Sequence, residues 1–151
     1  MKPSLLLMTI FLAALDNSLA QEQPAMARYA KGYKGYEGLR VAVSPYADMK
    51  HALVMFYGIN HPWDRKIFLC TMNEVPSSVN PRIEYQTVID GQPWNLLIIS
   101  PQGTGEAFLK DVKHANPVSY DEETSRDINN EHQLTAYLEQ EAKATQEKRK
   151  K

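Results

Sequence analysis

From Leu39 onward, apolar and polar positions alternate in short blocks that predict strands. Residues 39–43, with Leu39, Val41 and Val43 on one face, read as a strand exposed on its other face. Residues 53–59 and 66–72 are apolar on both faces, as central strands are, and 60–65 breaks them into a hairpin. Residues 83–89 put Ile83, Tyr85, Thr87 and Ile89 on one face and Glu84 and Gln86 on the other. Asp90-Gly91 then marks a hairpin turn, because glycine accepts positive φ without a steric cost. Residues 94–99 return as a mostly apolar strand. Between these blocks, Pro76 and Pro81 mark 75–81 as a loop.

Strands buried on both faces need a second layer. Two segments offer helices for it. Residues 106–113 read as a short helix after the glycine-bearing run Gly103-Thr104-Gly105. Residues 128–148 are rich in Glu, Ala, Gln, Leu and Lys, with Leu134, Tyr137, Leu138 and Ile128 forming a narrow apolar stripe. Acidic residues early and Lys148 and Arg149 late suit the helix dipole. Residues 21–38 carry Gly32, Gly35 and Gly38 at close spacing, which argues against a helix and reads as a loose N-terminal arm. The expected fold class is therefore α+β: an antiparallel sheet of about five strands with a short helix and a C-terminal helix. A small β-sandwich with a terminal helix is the alternative. A single globular domain is expected over 39–151.

The start of the chain has a different pattern. Lys2 precedes an apolar run from Leu5 to Leu15, and Ser18 and Ala20 place small residues before Gln21. Residues 1–20 read as a cleavable signal peptide, and the run is too short to span a bilayer. A periplasmic or secreted protein is expected. Its one cysteine, Cys70, cannot form an intrachain disulfide, and no Asn-x-Ser/Thr follows Gln21. Both features favour a bacterial cell envelope over an animal secretory route. The net charge of −1 offers no overall field for nucleic acid or membrane. The charge is nonetheless uneven: Arg28, Lys31, Lys34 and Arg40 are basic, Asp121, Glu122, Glu123 and Asp127 acidic, and 148–151 basic.

Candidate chemistry is sparse. Cys70 lies between Leu69 and Thr71 in an apolar strand and reads as a small buried side chain. His51, His61, His114 and His132 match no metal-ligand spacing, Gly103-Thr104-Gly105 lacks the lysine of a phosphate loop, and no G-x-S-x-G is present. No catalytic residue, metal ligand or cofactor is expected from these motifs. The hairpin tip is the strongest binding candidate. It gathers His61, Pro62, Trp63, Asp64 and Arg65, and Trp and Arg dominate binding hot spots. Tyr33 and Tyr36, with Tyr29, are interleaved with Lys31 and Lys34 and can stack on flat ligands.

The leading expectation is an exported, non-catalytic binding protein of the bacterial cell envelope, such as an inhibitor or immunity protein acting on an envelope enzyme. Its partner is another envelope protein, without nucleic acid and without a membrane span. An accessory subunit of an envelope secretion or conjugation assembly is the first alternative. A small metal-dependent or hydrolytic enzyme using His51, His61 and Asp48 or Asp64 is the second.

Overall fold

A computed structural model describes residues 22–151, so the expected signal peptide at 1–20 lies outside the described residues. Eight strands follow in order: β1 (Lys31–Gly35), β2 (Arg40–Pro45), β3 (His51–Tyr57), β4 (Ile67–Val75), β5 (Arg82–Ile89), β6 (Gln92–Ile99), β7 (Thr104–Ala107) and β8 (Asn116–Tyr120). Helices α1 (Glu122–Asp127) and α2 (Asn130–Arg149) complete the chain. Each strand pairs antiparallel with the next, and β8 pairs with β1 through Tyr33↔Tyr120, Lys34↔Ser119 and Gly35↔Val118.

The sheet is thus a closed up-and-down β-barrel, not the open α+β sheet expected, and not a sandwich. The five expected strands are β2 to β6; closure comes from β1, β7 and β8. Lys31–Gly35 is a barrel strand where a loose arm was expected. Its glycines are there for close approach: a Cβ at Gly32 would stand 2.6 Å from the Ser125 nitrogen of α1, which lies on the outer wall. The short helix expected at 106–113 does not form. Its first two residues belong to β7, where Gly105 passes so close to β6 that a Cβ would meet the Ile98 carbonyl oxygen at 1.9 Å. Helix propensity is worth a fraction of a kcal/mol per residue and loses to two ladders of backbone hydrogen bonds.

Inward side chains fill the barrel. Val41 and Val43, Ala52, Val54 and Phe56, Phe68 and Cys70, Tyr85, Leu97 and Ile99, and Val118 alternate along their strands into one cluster. A register shift opposite Tyr85/Gln86 places Leu96 beside Leu97, so both are buried and β6 reads as apolar without alternation.

The C-terminal helix forms as expected, over Asn130–Arg149. It covers the outer wall of β2–β4, which is why β3 is apolar on both faces: Leu53 and Ile67 pack on Leu134, with Met26, Tyr46, Met55 and Tyr137 around them. On β4 that cover ends early, and Leu69 is left exposed. The thin apolar stripe is supplemented by two glutamines one heptad apart. Gln133 accepts from Ser44 Oγ (3.1 Å) and donates to the Leu53 carbonyl (3.3 Å). Gln140 takes both backbone groups of Ile67, at 3.0 and 2.8 Å, as a neighbouring strand would. Helix α1 is capped by Asp121, whose carboxylate accepts from Thr124 N (2.9 Å) and Thr124 Oγ1 (2.5 Å) and sits 3.3 Å from Lys34 Nζ. These bonds, the Thr124 hydroxyl first, lower the Asp121 pKa from 3.8 to about 2.

Gly105→Ala is expected to cost about 3 kcal/mol in urea denaturation, since backbone must move. Gly91→Ala, in open space at positive φ, is expected to cost only about 1 kcal/mol. A lowered carboxylate pKa contributes stability fully above the ordinary value of 3.8, and that contribution disappears as pH falls through about 2. Stability measured from neutral pH downward is therefore expected to fall less steeply in that window for Asp121→Asn than for the wild type.

Candidate functional site

The two ends of the barrel are built differently. At one end stand the β1–β2, β3–β4, β5–β6 and β7–β8 connections; at the other stand the β2–β3, β4–β5 and β6–β7 connections with the start of β1.

The first end is plugged by the β3–β4 connection, which holds four of the sequence-derived candidates. Trp63 is 7% exposed, with its ring stacked parallel to Phe56 and edge-on to Phe68 and Trp94, at centroid distances of 6.5, 4.8 and 6.1 Å. His61 Nδ1 accepts from the Trp63 N–H (3.0 Å), so Nε2 carries the proton and donates to the Lys110 carbonyl (2.8 Å). Asp64 Oδ1 accepts from the Ile59 N–H (3.2 Å). Arg65 adopts a positive φ of 61° and donates its N–H to the Phe56 carbonyl (2.7 Å), leaving its guanidinium exposed. Trp94 Nε1 donates to the Phe108 carbonyl, which ties the β7–β8 connection to the same plug. The tip folds back over the core, so its tryptophan is packing and its His61 and Asp64 are braces. Tyr36 stands at this end in the β1–β2 turn, 75% exposed.

The other end is open. A cup of about 300 Å³ is lined by Lys31, Tyr33, Tyr85, Tyr120, Ser100 and Gln102 over an apolar wall of Ile83, Ile99 and Pro101. This volume lies at the lower end of the range of small-ligand pockets, about 300–1,000 Å³. Period-two alternation puts Lys31 on the inward face of β1 with Tyr33, and Tyr120 on the inward face of β8 with Val118. Tyr33 and Tyr120 are register partners and meet edge-on at 6.2 Å. Burial is the first cause that raises the Tyr33 and Tyr85 phenols, Tyr85 to about 12, so both stay protonated through the physiological range. The buried polar side-chain atoms without partners, among the described residues, are Asn116 Nδ2 and Asn130 Oδ1. Tyr33 and Tyr85 are themselves only 2% and 1% exposed, and they line the inner part of the cup. Beside it, a groove of about 420 Å³ runs under the β4–β5 loop between Val75, Pro76, Pro81 and Arg82, sharing Ile83 and Pro101 with the cup.

The histidines do not assemble. His51 begins β3 and pairs with Asp48 (2.8 Å) in the β2–β3 turn, whereas His61 lies past the other end of β3. Six strand residues, Ala52 to Tyr57, at about 3.3 Å each, separate them, so they cannot share one metal or substrate. No three His, Cys, Asp or Glu side chains gather as a metal site among the described residues. Cys70 is buried in the barrel, as expected, and desolvation pushes its thiol pKa up. Among the described residues no helix is long and apolar enough to cross a membrane.

Of the sequence-derived candidates, only Tyr33 lines the cup. Tyr85 had a legible signal, its place on the inward face of an alternating strand. Lys31 had only its place among the N-terminal tyrosines, and Ser100, Gln102 and Tyr120 had no signal until β1 and β8 were known to be neighbours. Searches against protein-family models, curated proteins and solved structures return no match to this chain.

Trp63→Ala is expected to cost about 3–5 kcal/mol in chemical denaturation, because it empties the plug. Arg65→Ala, two residues on and exposed, is expected to change stability by less than about 0.5 kcal/mol.

Proposed function

We propose that the chain is an exported, non-catalytic binding protein of the bacterial cell envelope, which holds another envelope protein at the open end of its barrel as an inhibitor or immunity protein would. The division of labour between the two ends carries this reading. The side chains best suited to chemistry, Cys70, His61 and Asp64, are engaged in packing or backbone bonds. The opposite end keeps a cup lined by residues that carry phenol, ammonium and amide donors. A closed sheet holds Lys31 and the three tyrosines on strands rather than loops, which limits the entropy lost on binding. Export rests on the apolar run and small-residue pair of 1–20.

A second reading, an accessory subunit of an envelope assembly, draws on α2. From Glu141 to Arg149 the helix is exposed on every side, a polar arm available for docking. The mass of the native complex separates the two, since a one-to-one pair is much smaller than an assembly.

Affinity capture from envelope extract tests the first reading. A partner retained by the wild type is expected to be lost with Tyr120→Ala, at the open end, and kept with Tyr36→Ala, at the plugged end. The reverse pattern would move the contact to the plugged end and overturn the proposal.

A further inference from the structure

We propose that the open-end cup is a carboxylate site, which takes a single carboxylate carried on a short apolar stem. The inference rests on the open-end reading above and names the chemistry the cup recognises. Lys31 is the one charged side chain lining the cup, and no Asp or Glu lines it. A cation facing a ring of donors without a counter-charge is complementary to an anion. Tyr33, Tyr85, Tyr120 and Gln102 line the cup; phenol and amide groups donate to oxygen acceptors, and a carboxylate has about four lone-pair sites to receive them. Ser100 Oγ is already shared with Thr104 Oγ1 at 3.0 Å and stiffens the β6–β7 turn at the rim. The remaining wall, Ile83, Ile99 and Pro101, is apolar and calls for a hydrocarbon next to the charge. A doubly charged or highly polar ligand would leave that wall unmatched.

Burial raises the Tyr33 and Tyr85 pKa values, which keeps both phenols as donors beside an incoming anion. Two sources supply this chemistry: a free small carboxylic acid, and the C-terminal carboxylate of a partner chain that ends in an apolar residue.

Heteronuclear NMR on the whole protein tests the site, with hexanoate, hexanamide, a tetrapeptide ending in leucine with a free carboxylate, and the same peptide amidated. Saturable shifts of the Tyr33, Gly103 and Tyr120 amides are expected with an acid and not with its amide. Hexanoate matching the peptide assigns a free small acid; the peptide binding more tightly assigns a chain terminus; either outcome upholds the carboxylate. Lys31→Gln, at an exposed strand end, is expected to weaken binding roughly tenfold without changing the melting temperature. Tyr33→Phe, which keeps the ring in the core, is expected to weaken it several-fold. Equal binding of acids and amides, or no saturable shift into the millimolar range, overturns the proposal. So does a captured partner that depends on Tyr120 while every carboxylate fails to bind, an outcome that leaves the open-end reading standing.

Discussion

Closure of the sheet through β1 and β8 is the constraint on which the rest of the molecule depends. Three register pairs join these strands, and without them both would be edges with unpaired backbone groups. The seam is reinforced from outside. Ser125 Oγ accepts from the Gly32 N–H at 2.8 Å, the Asp121 N–H donates to the Gly32 carbonyl at 2.9 Å, and Lys34 pairs with Asp121. A six-residue helix with little stability of its own thus serves as a clasp, and only a glycine at position 32 lets it sit so close.

A closed barrel must then be filled or it collapses. An interior of eight strands is just wide enough for side chains to fill or for one small ligand to enter. In this protein side chains seal one end and leave a cup at the other. Trp63, folded in from the β3–β4 connection, seals one end with Phe56, Phe68 and Trp94. Towards the other end Tyr33 and Tyr85 fill the interior and line the floor of the cup. The cup follows from how the barrel is filled: large amphipathic side chains stop the core short of the rim.

The outer wall shows how little apolar surface a helix needs when polar clips are well placed. Gln140 satisfies both backbone groups of Ile67, and Gln133 adds bonds to Ser44 and Leu53, which offsets the cost of burying the glutamines. An apolar stripe alone would underrate the docking of this helix, because glutamine spacing carries no hydrophobic signal.

The sequence by itself determined the strands with strong alternation or apolar runs, β2 to β6, the Asp90-Gly91 turn, the long C-terminal helix and the burial of Cys70. These depend on local pattern and side-chain size, which can be read from neighbours along the chain. The tertiary structure decided what is non-local. β1, β7 and β8 are short, carry glycine or proline, and have no strand signal of their own; they exist because each has a partner on both sides. The same holds for the site. Trp63 on its turn read as a binding candidate, and only the packing with Phe56 and Trp94 shows it to be a plug. Lys31, Tyr85 and Tyr120 are far apart in sequence, and pairing through the closed sheet is what brings them to one cup.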